Sequence, residues 1–156
     1  MKTLLDVHTH TIASGHAFSS LQEMTLTAKE KGLDILGITE HGPNIPGTCD
    51  PIYFRNLHCV PRQLYGIKLM LGAELNILNT KGDIDLDEDY WRMLDIRIAG
   101  IHSLCWQGGS KEENTQGGHQ CHAQSLRADY LSSRRWYGRT GFRGTHESFQ
   151  GDAYLA

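Results

Sequence analysis

Among the metal-binding side chains of the first 116 residues, six stand in a telling arrangement: His8, His10, His16, His41, Glu74 and His102. His8 and His10 are separated by one residue, so on extended chain both project from the same face. His41, Glu74 and His102 stand at or near the ends of later apolar runs, and His16 lies in the first connection. Residues gathered from the exits of successive strands converge on one rim in a β/α barrel. Imidazole nitrogen combined with carboxylate oxygen suits Zn²⁺, Mn²⁺ or Fe²⁺, and the lack of cysteine ligands argues against a structural zinc finger. Glu74 can bridge two ions, and closely spaced cations serve phosphoester hydrolysis by activating water and clamping phosphate oxygens. The pattern therefore points to a metal-dependent hydrolase.

Other polar clusters have plainer readings. His58, His119, His122 and His146 are expected to be surface or satisfied polar residues. Glu40, beside His41, is expected to support the site rather than ligate. Asp83, Asp85, Asp87, Glu88 and Asp89 form an acidic run without EF-hand spacing, expected to be a solvated face and helix cap. Gly108-Gly109-Ser110-Lys111 lacks a full phosphate-loop pattern and is read as a flexible loop.

The elements that must carry these residues follow from the pattern of apolar runs. Thr3–Val7, Asp34–Thr39, Ile67–Ile77 and Ile96–Ile101 read as strands. Ser20 to Lys31 reads as a helix, with Ser20 and Glu23 forming a capping box and Gly32 stopping it. Asn44–Pro51 carries prolines and a glycine and reads as loop. Lys81-Gly82-Asp83 reads as a tight turn and Asp87–Leu94 as a short helix capped by Asp87. Strands recur at about 30 residues, the length of a βα unit. Their runs are apolar rather than alternating, as expected when helices cover the sheet. The fold class is α/β.

A chain of 156 residues with nine histidines and net charge −3 has one domain's worth of core and no basic field for nucleic acid. Cys49, Cys59, Cys105 and Cys121 form no C-x-x-C pair and are read as reduced thiols of a cytoplasmic protein, with secretion as the lesser alternative. Neither a signal peptide nor a membrane-length apolar run is expected.

The segments Asp6-Val7-His8-Thr9-His10-Thr11, Ser14-Gly15-His16-Ala17-Phe18-Ser19, Ile38-Thr39-Glu40-His41-Gly42-Pro43, Gly72-Ala73-Glu74-Leu75-Asn76 and Gly100-Ile101-His102-Ser103 together resemble the PHP (polymerase and histidinol phosphatase) family. The similarity covers about residues 2–116 and is greatest to stand-alone bacterial phosphatases with a trinuclear zinc site. The resemblance implies a distorted (β/α)7, TIM-like barrel, of which this chain holds the N-terminal part. It implies that His8, His10 and Glu74 hold one ion, Glu74 and His102 a second, and His16 and His41 a third. It also implies that a metal-bound hydroxide attacks a small phosphate monoester without a protein nucleophile. The family's later ligands, in a Ser-His-Pro-Gly-like motif and an Asp-x-His pair, have no counterpart here. Impaired activity, or a non-catalytic metal-binding half-barrel, is the corresponding expectation; the sequence leaves the oligomeric state open.

The absence has a pattern. Residues 117–156 contain no Ile, Val or Lys, and their basic residues besides His are Arg127, Arg134, Arg135, Arg139 and Arg143. Such a segment cannot supply buried parallel strands. Synonymous codons for residues 117 onward can be chosen so that the +1 frame encodes the missing Ser-His-Pro-Gly motif. The tail is therefore read as the product of a frameshift near codon 117, poorly ordered or collapsed on its aromatics. Its mixture of arginines with Trp136, Tyr137 and Phe142 has a competing reading as a single-strand nucleic-acid binder.

Overall fold

The computed structural model describes residues 4–106 and 109–136, with side chains described through residue 123. Expectations that fall on residues 137–156, including Tyr137, Arg139, Phe142, Arg143 and His146, lie outside them.

The chain folds as α/β around one parallel sheet. In chain order it forms β1 (Leu5–Asp6), α1 (Leu21–Glu30), β2 (Ile35–His41), α2 (Pro51–Asn56), β3 (Gln63–Leu64), β4 (Ile67–Asn76), α3 (Glu88–Trp91), β5 (Ile96–Gly100) and α4 (Lys111–Trp136). β1, β2, β4 and β5 run parallel in that spatial order. The short β3 folds back antiparallel on the first residues of β4, along the edge that β5 occupies further on. The result is a curled half-barrel.

Side chains alternate along the central strands and divide their work. On β2 and β4, Leu36, Ile38, Leu69, Leu71, Ala73 and Leu75 are buried in a core shared with Ala28 of α1 and Phe54 of α2. The intervening positions, which include His41 and Glu74, face the other way. Two glycines allow the strands to approach. A Cβ on Gly37 would stand 2.6 Å from Val7 Cα. One on Gly72 would collide with the Ile96 carbonyl. Past the end of β1 the chain stays beside β2, with Thr39 N donating to Thr9 O at 2.8 Å and Thr9 Oγ1 to Gly37 O at 2.6 Å.

The four expected strands form, as does the helix Leu21–Glu30 with the Ser20–Glu23 capping box. The expected tight turn forms at residues 79–83, where Gly82 N donates to Asn79 O and Gly82 takes φ +81°. Several details differ. The expected loop ends at Asp50, which caps α2 through Ile52 N, with Pro51 at its first turn. A proline fits there because its missing N–H has no helical partner to lose. α3 is shorter than expected, and Asp87 precedes it without a side-chain cap bond. The acidic run is not all solvated, because Asp85 accepts from Asn76 N, Asn76 Nδ2 and Asn44 N. It thereby ties the exits of β2 and β4 together.

Finally, Ser110 is no part of a free loop. It forms a capping box with Glu113 at the start of α4, with Ser110 N donating to Glu113 Oε2 at 2.7 Å. The helix runs through Gly117 without a break. Cys121 packs with Ile77 and Trp106, and Gly117 lies against the same two side chains.

Candidate metal centre

β4 is the middle of the site. Glu74 lies in register with His41 of β2 on one side and Ile98 of β5 on the other. The extended chain beyond β1 brings His8 and His10, and the turn after β5 brings His102. Four imidazoles thus meet one carboxylate. His8 Nε2 and His10 Nε2 each lie 3.3 Å from Glu74 Oε2, His41 Nδ1 lies 2.9 Å from the same oxygen, and His102 Nε2 lies 3.4 Å from Oε1. His16, from the loop after β1, has its ring 4.7 Å from that of His41 and 5.7 Å from that of His10. All six candidate residues therefore gather in one place.

Among the described residues, two sets have donor atoms within 4.8 Å of one another: His8, His10 and Glu74, and His41, Glu74 and His102. Glu74 is common to both. His41, grouped with His16 on resemblance, thus also stands with Glu74 and His102.

The donors fit a cation. His41 Nδ1, Glu74 Oε2 and His102 Nδ1 are buried without a hydrogen-bond partner, although the first two lie 2.9 Å apart. Buried polar atoms left so cost free energy unless a third group receives their lone pairs. Burial is the chief reason that His41 is pushed down to about 4; Glu74 opposes the shift, and His10, His102 and His16 add to it. Its ring is therefore neutral near pH 7, the form that ligates. Burial alone would raise the Glu74 carboxyl. The close approach of His10 and His8 and the charge of His41 outweigh it and hold the group at about 2.

A buried polar layer supports this cluster. Glu40, fully buried, accepts from Thr11 N, from Thr11 Oγ1 at 2.5 Å and from Ser14 Oγ at 2.5 Å. Tyr53 OH of α2 reaches it at 3.5 Å. Glu40 thus lies beneath the cluster, as expected of a supporting residue. Thr11 and Ser14 were not singled out in the sequence; the one available signal was the placement of Ser14 four residues after His10 and two before His16. His58, one of the histidines expected to be surface, is exposed and bonds the Arg55 carbonyl.

Comparison with known proteins places the chain among relatives. The model of the PHP domain family matches residues 6–134. A protein named probable phosphatase from Clostridium novyi is 49% identical over 115 residues, covering 74% of this chain and 47% of its own length. Another of that name from Caldicellulosiruptor bescii is 46% identical over 112 residues, covering 72% and 47%. A third, from Clostridium acetobutylicum, is 45% identical over 116 residues, covering 74% and 48%. The chain spans about half the length of the curated relatives it matches.

Proposed function

The chain belongs to the PHP domain family, and from that membership we propose that it is a metal-dependent phosphatase acting on small phosphate monoesters. The observation that carries the reading is the convergence of four imidazoles on the two oxygens of Glu74. His8, His10 and Glu74 would hold one cation, and Glu74 with His102 and His41 another. His16 beside His41 would contribute to a third. Zinc is the proposed metal, with manganese or iron compatible with the same donors. When bound, such cations supply Lewis acidity that makes a water acidic and neutralises phosphate charge.

The chain's own part is to hold neutral donors and a charged carboxylate in place. Ser14, whose hydroxyl lies 3.1 Å from His10 Nδ1, is buried and engaged with Glu40, which supports a reaction without a protein nucleophile. No partner beyond the small phosphorylated substrate is proposed, and a cytoplasmic location accords with that substrate. No helix among the described residues is long and apolar enough to cross a membrane.

The half-length match favours a second reading, a half-barrel that binds cations and hydrolyses nothing. Turnover of p-nitrophenyl phosphate with added zinc or manganese, measured beside bound metal per chain, separates the two. Turnover lost on Glu74→Ala supports the phosphatase; bound metal without turnover supports the second reading; no bound metal overturns both.

We further propose that residues 117–156 arise from a reading-frame change near codon 117. Their lack of Ile, Val and Lys supports this. The helix α4 crosses that boundary, and the family match reaches residue 134, so the change does not interrupt the helix. The nucleotide sequence decides the matter: a +1 frame that does not encode further family strands refutes it.

A further inference from the structure

We propose that Ser14, anchored by Glu40, is a positioning residue that keeps the His10 ring protonated at Nδ1 and so turns its Nε2 toward Glu74. The argument is a count of protons around one buried oxygen. Ser14 is fully buried, and its Oγ has three neighbours: Glu40 Oε2 at 2.5 Å, His41 N at 3.0 Å and His10 Nδ1 at 3.1 Å. A hydroxyl offers one proton and two lone pairs. Its proton goes to Glu40 Oε2, as the hydroxyl of Thr11 goes to the other oxygen of the same side chain. The backbone N–H of His41 can only donate and fills one lone pair. One lone pair of Ser14 remains, and it faces His10 Nδ1. That nitrogen satisfies it only as N–H.

The same residue acts twice. The Ser14 carbonyl lies 3.0 Å from His16 Nδ1, and a carbonyl only accepts, so His16 is also protonated at Nδ1. One buried serine thereby sets the proton on two imidazoles and holds the backbone of a third site residue, His41. Glu74 competes for a proton at His10 Nε2, but it lies farther off, at 3.3 Å, and His8 Nε2 stands equally near to serve it. Hydrogen bonds to the remote nitrogen fix the tautomer and orientation of a ligating imidazole. That the freed Nε2 atoms serve a cation rests on the phosphatase reading; the proton positions do not.

The test is nitrogen-15 NMR of the histidine rings in the full 156-residue chain, metal-free, at a pH high enough to keep the rings neutral. In the wild type, Nδ1 of both His10 and His16 gives the shift of a protonated nitrogen. In Ser14→Ala, the His10 proton moves to Nε2, whereas His16 is unchanged because the carbonyl remains. A bare His10 Nδ1 in the wild type overturns the proposal, as does a Ser14→Ala spectrum in which His10 is unaltered. Should that variant not fold, the wild-type spectrum alone decides. Zinc affinity by chelator competition is expected to fall about ten- to a hundredfold in folded Ser14→Ala; equal affinity overturns the positioning role. Absence of zinc binding by a wild type with both protons at Nδ1 leaves the proposal standing and defeats the metal reading instead.

Discussion

Glu74 is the residue on which the most depends. It touches four imidazoles, whereas His8 is half-exposed and touches the cluster from its rim. Glu74→Ala should therefore abolish zinc binding, and His8→Ala should weaken it less than His10→Ala does; metal content per chain after dialysis ranks the three. Acid should act on the metal-free fold through the same groups. His41 sits at about 4 when folded against an ordinary value of 6.5, so between those limits the unfolded chain binds more protons and stability falls as the pH falls. Glu74, held at about 2 against 4.5, extends the loss downward with the same sign. Urea midpoints should drop steadily from pH 7 to pH 4, and His41→Asn should flatten the upper part of that curve. At this scale the sequence revealed much. The convergence of the six candidate residues was legible, because ligand chemistry leaves few residue types and the strand exits supply their spacing. Ser14 and Thr11 were not, since a serine that orients a ring looks like any loop serine until its neighbours are known.

Elements position these residues through close backbone approach and deliberate ends. Gly72 leaves no room for a Cβ against Ile96 of β5. Gly72→Ala should separate β4 from β5, lower stability by about 1–3 kcal/mol, and weaken zinc binding with it by drawing His102 away from Glu74; thermal melts and chelator competition report the two effects. Ser20→Ala, which removes the capping box of α1 far from the cluster, should cost about 1 kcal/mol and leave zinc affinity unchanged. The parallel strands were readable because burial on both faces makes their runs apolar. α2 was hidden because Pro51 signals a break and a first helical turn equally well. The two residues of β3 carry no periodicity at all. Asp85 was misread because an acidic run ordinarily seeks water, and only the backbone N–H groups of Asn44 and Asn76 reveal its anchoring role.

The described residues form half a barrel whose α4 packs against the turn after β4. A Cβ on Gly82 would collide with the backbone at Cys121, so that turn and the helix touch directly. The change in composition after Gln116 was legible, but the persistence of the helix was not, because strand-poor sequence says little about helix. The site residues arrive about 30 residues apart, one βα unit after another. No short fragment holds a coordination set, so cation affinity arises only when distant segments have closed on one another. Ions that grip only the closed chain draw the folding equilibrium toward it by mass action. Zinc added during refolding should thus raise the yield of native chain, and its capture should serve as a clock for the last long-range closure.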